Sequence, residues 1–324
     1  MDQIAIPVLE AQAPQTARFP GFWRRVGAFF VDTGVLALLG LPLGLLLGER
    51  FAPVGSPARL VGLLIIVPYL GVMGSRVGRG QTPGKRLLGL RVVDARGQPL
   101  PLVRSFARAA LLSTPWIFNG IRFGSLGPVV TATLWMAGIL IFGVGGAIIG
   151  TFLLNRPTRQ GFHDLLVGSY VVDAGGLGIP VPGASSRRPL VASTIWMGVV
   201  VVATTVTLLK GPDLVAGQFP PALMESLSAI PGATSYEVRN LTTWGKGRST
   251  NSIIAVIWLR GPPSEVKRAA QEAAAAMLQH HPEAATAENL GVTVVQGWDV
   301  GIYSSTSSMS YIRPLAQWRA ELGL

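Results

Sequence analysis

Residues 21–47 read GFWRRVGAFFVDTGVLALLGLPLGLLL, a basic start followed by a long apolar stretch. Between Val26 and Leu47 the only charged side chain is Asp32. A helix needs about 20 predominantly apolar residues to cross the hydrocarbon core of a bilayer. Val26–Leu47 therefore predicts a transmembrane helix, and this stretch decides the class of fold.

Further along the chain, other apolar stretches have a comparable length: Leu60–Gly74, Pro128–Leu154 and Leu190–Leu209. A fifth stretch, Ala109–Ile121, is shorter and contains Pro115 and Asn119. It is either a span or an interfacial helix, because periodicity alone does not separate the two. The sequence thus predicts a mainly α-helical membrane bundle of about five transmembrane helices, with four as the alternative.

The basic residues favour five spans with the N-terminus in the cytoplasm. Segments 1–25, 76–108 and 155–189 would then be cytoplasmic and would hold 15 Lys and Arg residues. The outer side would keep only Arg50, Arg59, Arg122 and Lys210. This asymmetry follows the positive-inside rule. A net charge of +11 also suits a nucleic-acid-binding protein, but basic residues placed between apolar spans favour membrane orientation.

Composition excludes several other classes of protein. Charged residues make up 13% of the chain, against about 25% in soluble domains. The chain contains no cysteine, so disulfides and thiolate metal sites are excluded. Residues 1–20 contain Asp2 and Glu10 and no apolar core, which predicts no cleavable signal peptide.

Residues 210–324 differ from the rest, with 9 basic and 9 acidic residues. Alternation predicts strands at Thr234–Thr242, Ser252–Arg260 and Gly291–Ser304. Helical spacing after Ser264 predicts a helix that ends at Pro282, and Pro314 opens a short last helix. Strand, strand, helix, strand and helix form a small α+β domain.

The predicted organisation has five parts. They are a tail (1–20), a transmembrane domain (21–174), a Gly/Pro/Ser-rich linker (175–189), a final transmembrane helix (190–209) and the soluble α+β domain (210–324). The last domain is expected outside the cytoplasm of a multi-pass cell-membrane protein.

Arg25 and Asp32 are the first candidates for a polar site. A charge within a span costs on the order of 3 kcal/mol, so it is rarely without a role. Seven residues are close to two helical turns, so both side chains lie on one face, about 10 Å apart along the axis. A third group must connect them. The alternative is that Arg25 only anchors the helix at the headgroups and Asp32 only accepts packing hydrogen bonds.

Three segments resemble the RDD family of integral membrane proteins. GFWRRVGAFFVD (21–32) is similar to its opening, GQTPGKRLLGLRVVD (80–94) to the loop after its second span, and RQGFHDLLVGSYVV (159–172) to its closing segment. The resemblance covers about residues 21–173. It implies that Arg25, Asp32 and Asp164 are the arginine and two aspartates of the family name, and that the domain transports a small solute or ion.

Two further groups of side chains accompany these residues. His163 beside Asp164 is a candidate proton relay, or Asp164 simply pairs with a cytoplasmic Lys or Arg. Contact with anionic headgroups is expected of the basic side chains that follow the second span: Arg76, Arg79, Lys85, Arg86 and Arg91.

Two functions from different classes follow. The first is transport of a small solute or ion, with Arg25, Asp32 and Asp164 as the polar core. The second is a membrane-anchored binding or assembly module that recognises a protein partner through residues 210–324. No catalytic or metal-binding motif is present in the sequence, so neither an enzyme nor a cofactor or metal is expected.

Overall fold

The computed structural model describes residues 17–121, 135–176, 188–216, 220–245 and 248–324. Most of the predicted tail and linker, and the start of the stretch Pro128–Leu154, lie outside these ranges. Within the described residues the chain is mostly helical and is followed by a C-terminal α+β region, as predicted.

The helices, in chain order, are α1 (Phe22–Phe51), α2 (Arg59–Gly74), α3 (Pro83–Leu87), α4 (Leu102–Phe118), α5 (Trp135–Leu154), α6 (Phe162–Val167), α7 (Arg188–Ala216), α8 (Pro221–Ser228), α9 (Val266–His280) and α10 (Leu315–Leu322). The strands are β1 (Leu90–Val93), β2 (Tyr170–Asp173), β3 (Ala233–Gly245), β4 (Arg248–Leu259), β5 (Asn289–Asp299) and β6 (Ser304–Pro314).

Four of these helices are long and apolar enough to cross a membrane: Phe22–Gly48, Ser56–Gly74, Trp135–Leu154 and Arg188–Lys210. Only 11–28% of the most apolar window in each is buried within the protein. Large apolar side chains such as Leu46, Leu64 and Leu209 are exposed. Such surfaces are stable in lipid and not in water, so the protein is a multi-pass membrane protein.

The short stretch Ala109–Ile121 lies largely within α4, which is not among these four helices. Helix α4 has 17 residues, and its first turns carry Arg104 and Arg108. Length and composition therefore give four spans among the described residues, the alternative that the sequence left open.

Contacts divide the chain into two compact units. The first unit contains residues up to Val35, Val67–Leu112 and Ala147–Thr194, and the second contains Leu36–Ile66, Ser113–Gly146 and Ile195–Leu324. Helices α1, α2, α4, α5 and α7 each have one end in either unit, in alternating direction along the chain.

In the first unit, a two-stranded antiparallel sheet joins two distant segments. Strand β1 pairs with β2 in a register that places Arg91 opposite Val172. Leu90, Val92 and Val171 pack with Ala28 of α1 in a small buried core. The loop after α2 and the segment after α5 are therefore fixed against the start of α1.

The C-terminal part of the second unit is a four-stranded sheet in the order β3-β4-β5-β6. Strands β4 and β5 are parallel and are connected through α9, whereas the outer pairs are antiparallel. Helix α9 confirms the helix predicted between Ser264 and Pro282, and it buries Ala270, Ala273 and Met277 against the sheet. The core is therefore that of an α+β domain.

Two elements of this domain are missing from the sequence-based prediction. Helix α8 was not predicted, and the strand predicted at Gly291–Ser304 is in fact β5, a turn and the beginning of β6. Nearly all of β6 is exposed, and its serine-rich sequence lacks the apolar alternation that indicates a strand. Its pairing with β5 forms the strand instead.

The glycines at positions 40, 44 and 48 of α1 allow the turn between β5 and β6 to pack closely against this helix. A Cβ atom at Gly44 or Gly48 would overlap the Trp298 ring, and one at Gly40 would lie 2.7 Å from Tyr303 Cβ. Arg59 of α2 forms an ion pair with Asp299 and donates to the Ile117 carbonyl at 2.9 Å. These glycines of α1 therefore accommodate the β5–β6 turn of the C-terminal domain.

Gly44→Ala is expected to destabilise the protein by about 1–3 kcal/mol, because its methyl group overlaps the Trp298 ring. Gly34→Ala is the matched control, because it lies in the same helix with no neighbouring atom within 4 Å of its added Cβ. Both substitutions raise helix propensity similarly. Thermal unfolding of the detergent-solubilised protein measures the difference. Equal stabilities for the two variants would contradict the close packing of Trp298 on Gly44.

Candidate functional site

The three segments that the sequence singled out meet in the first unit. Gln81 donates to the Leu90 carbonyl at 2.8 Å, and Gln160 donates to the Ser169 carbonyl at 2.8 Å. These bonds hold the loop before β1 and the loop before β2 in fixed turns next to the paired strands. Both segments consequently contact α1, the first through its Asp32 and the second through its Arg25.

Asp32 of α1 is buried and accepts three hydrogen bonds. The Tyr69 hydroxyl donates to it at 3.0 Å, the Thr82 hydroxyl at 2.5 Å and the Gly84 backbone N–H at 2.8 Å. A Cβ atom at Gly84 would collide with the Ala28 carbonyl and lie 3.0 Å from the Asp32 carboxylate. Glycine at position 84 thus allows the backbone of α3 to approach the carboxylate closely.

Lys85 extends from α3 towards the same carboxylate. Its Nζ lies 3.8 Å from Asp32 Oδ2 and 3.3 Å from the Thr82 hydroxyl, and its side chain is 14% exposed. Burial, together with the positive charge of Arg108, lowers the pKa of Lys85 to about 8. Lys85 was predicted to contact lipid headgroups; the structure instead places it with Asp32.

Asp164 lies in the first turn of α6, where it is 2% exposed. It accepts from Arg108 Nε at 2.7 Å, from the Ser169 hydroxyl at 2.7 Å and from the Gly161 backbone N–H at 3.4 Å. Burial by itself would raise the pKa of this carboxyl, but the adjacent Arg108 and these donors hold it well below its usual range. Asp164 therefore remains ionised.

His163 is buried beside this pair. Arg108 Nη2 lies 3.3 Å from His163 Nε2, and because arginine only donates, the imidazole accepts through Nε2. Burial and the cations Arg108, Arg25 and Lys85 lower the pKa of His163 to about 4, although Asp164 opposes the shift. His163 is therefore neutral near pH 7, and the structure gives no support to the predicted proton relay at that pH.

Arg25 binds backbone rather than carboxylate. Its guanidinium donates to the carbonyls of Thr158 at 3.3 Å and Val171 at 3.0 Å, and to the carbonyl of Arg159. Arg159 has φ of 51°, a left-handed conformation that costs energy outside glycine. Arg25 thus binds the backbone of the closing segment (159–172) and of the residue before it. The side chain that pairs directly with Asp164 is Arg108.

These side chains form one buried charge cluster: Arg25, Asp32, Lys85, Arg108, His163 and Asp164. It contains the three residues predicted from the sequence, Arg25, Asp32 and Asp164. Sequence reasoning missed Tyr69, Thr82 and Arg108 and misassigned Lys85. A usable signal for Arg108 was its position four residues after Arg104, at the start of a mostly apolar helix.

The other predicted lipid contacts lie elsewhere. Arg76, Arg79 and Arg86 are exposed, and Arg91 is half-buried in β1. Their contact with headgroups remains a prediction. In the part of the chain that the structure describes, no group of three His, Asp or Glu side chains could hold a metal ion.

Residues 19–168 match the model of the RDD family, which confirms the resemblance seen in the three segments. Residues 19–168 are an RDD domain. This domain supplies every residue of the buried charge cluster. No curated protein and no solved structure matches the chain significantly.

Proposed function

We propose that the protein carries a small ion or solute across the cell membrane through the buried charge cluster of its RDD domain. The observation that supports this proposal is Lys85, a buried amine 3.8 Å from Asp32 with a pKa near the physiological range. A group that gains and loses a proton next to a carboxylate at the end of a span suits a carrier. The protein then acts as a carrier and not as an enzyme.

Asp32→Asn tests this proposal with little change in packing. The amide oxygen still accepts from Gly84 and Tyr69, and the Thr82 hydroxyl accepts from the new NH₂ group. We expect normal membrane levels and at least about a tenfold loss of flux, as for other groups whose charge acts in the rate-limiting step. Flux is measured in proteoliposomes loaded with a pH-sensitive dye under imposed gradients of sodium and potassium salts.

Asp94→Asn is the matched control for this test. Asp94 lies in a turn, where its carboxylate accepts from the backbone N–H groups of Arg96 and Gln98, bonds that an asparagine oxygen also accepts. If Asp32→Asn and Asp94→Asn both showed full flux at normal membrane levels, Asp32 would have only a packing role and none in transport.

We further propose five crossings, with residues 76–108 in the cytoplasm and the C-terminal domain outside. The positive-inside rule supports this arrangement, because segments 1–25, 76–108 and 155–189 hold most of the basic residues of the membrane part. In this topology the basic segments contact anionic headgroups.

Cysteines introduced at Ala95 and Ser307 test the topology, because both positions are exposed and the chain has no other cysteine. An impermeant maleimide should label Ser307→Cys in intact cells and Ala95→Cys only after permeabilisation. If α4 does not cross, both positions are cytoplasmic and both are protected in intact cells.

A second candidate function, binding of a partner or ligand by the C-terminal domain, is favoured by a cleft. It has a volume of about 740 Å³, within the range of small-molecule sites, and is lined by the loop after α1 and by the ends of β3, β4, β5 and β6. Thr306→Trp would obstruct it. Loss of activity in that variant, with Asp32→Asn unaffected, would favour this function over transport.

A further inference from the structure

The buried charge cluster does not balance its own charge. Arg25, Lys85 and Arg108 are cations when protonated, Asp32 and Asp164 are the carboxylates, and His163 is neutral. One positive charge is in excess while Lys85 carries its proton. Burying an uncompensated charge is expensive, so a counter-charge within the cluster would stabilise it.

Two buried N–H donors of the cluster are also unused by the described residues. They are Arg25 Nε and His163 Nδ1, neither of which has a hydrogen-bond partner there. Because Nε2 of the neutral imidazole accepts from Arg108, the proton of His163 is on Nδ1. An unused buried donor destabilises the fold, and only an acceptor removes that cost.

We propose that the buried charge cluster binds a small monovalent anion, and that Lys85 carries a proton in the anion-bound state. The inference rests on the proposed transport function and names its substrate class. The excess cation calls for a negative charge, and the two unused donors call for acceptor atoms. A small anion supplies both, whereas a neutral solute supplies only the acceptors and a cation supplies neither.

The coupling to protons follows from the surroundings of Lys85. The groups that face it are Asp32 of α1, hydrogen-bonded by Tyr69 of α2, together with Arg108 of α4 and Asp164 of α6. A bound anion adds a negative charge to this environment and therefore favours the protonated amine. Each anion that binds above pH 8 should take up one proton, and the pair would move together.

Binding is tested on the full-length protein in detergent, with sodium chloride, nitrate or acetate replacing sodium gluconate at constant ionic strength. At pH 6.5 we expect at least one of these anions to raise Tm, and at pH 9.5 to bind more weakly. Calorimetry in buffers of different ionisation enthalpy should show uptake of about one proton per anion at pH 9.5. Exchange of sodium for choline as the cation should leave both Tm and anion binding unchanged.

Two variants make the result specific. Lys85→Arg keeps the charge without titrating, so it should bind the anion equally at both pH values and take up no proton. Lys85→Met should bind at least about tenfold more weakly, the loss of one charge pair. Arg96→Met, an exposed cation in a turn of the same unit, is the control and should bind as the unaltered protein does.

The anion site is overturned if Tm is independent of these anions. It is also overturned if Tm at pH 9.5 differs between sodium salts and choline salts, which would indicate a cation at Asp32. Equal binding by Lys85→Met would also overturn it. Flux in proteoliposomes separates the two proposals. If the protein binds the anion but shows no flux, the anion site stands and the transport function is wrong. If it shows flux but binds no anion, the transport function stands and the anion site is wrong.

Discussion

Asparagine at position 164 is expected to destabilise the RDD domain by about 3–5 kcal/mol, because Arg108 would stay buried without its counter-charge. Asp164 and Arg108 have side chains only 3% and 8% exposed, and their Nε–Oδ1 distance is 2.7 Å. The carboxylate also fixes Ser169 and the first turn of α6. Its loss therefore affects both the cluster and the segment that surrounds Arg25.

The measurement is thermal unfolding of the detergent-solubilised protein, with membrane levels as a second readout. Asp94→Asn, in an open turn of the same unit, should change stability by less than about 0.5 kcal/mol. The pKa of Asp164 is depressed in the fold, so its contribution is present above the ordinary value of 3.8 and is lost as pH falls below it. A fully stable Asp164→Asn variant would contradict a structural role for the pair.

Replacement of Lys85 by methionine is expected to stabilise the protein, in contrast to Asp164→Asn, which destabilises it. The pKa of Lys85 falls from 10.5 to about 8 because charged Lys85 is disfavoured by burial and by Arg108. That difference corresponds to a cost of about 3 kcal/mol when the group is charged. Lys85→Met should therefore unfold at a higher temperature at pH 7, since Asp32 keeps its three neutral donors.

The pH dependence gives a second check on Lys85. Between pH 8 and 10.5 the unfolded chain binds more protons than the folded protein, so stability rises with pH in this window. Lys85→Met should remove that rise, and Arg96→Met should keep it. The same measurement at low anion concentration is needed, because a bound anion offsets the buried charge. A Lys85→Met variant that is less stable at pH 7 would show that the amine stabilises the cluster.

The sequence by itself determined the membrane class, the RDD domain and the α+β character of residues 210–324. Runs such as Val26–Leu47 are apolar because every side chain must suit lipid, so composition alone identifies them. It also identified Arg25 and Asp32, because a charge next to or within a span is costly enough to be noticed without a structure. Asp164 came from the resemblance of its segment to the RDD family.

Only the tertiary structure decided which charges are partners. The sequence left open which Lys or Arg pairs with Asp164; in the fold its partner is Arg108, whereas Arg25 binds three carbonyls. The burial of Lys85 likewise depends on how α3 packs on α1, and Gly44 and Gly48 of α1 contact Trp298, which lies at least 250 residues further along the chain. Local sequence records how much each residue favours lipid or water, but pairing and pKa depend on distances between segments that only the fold brings together.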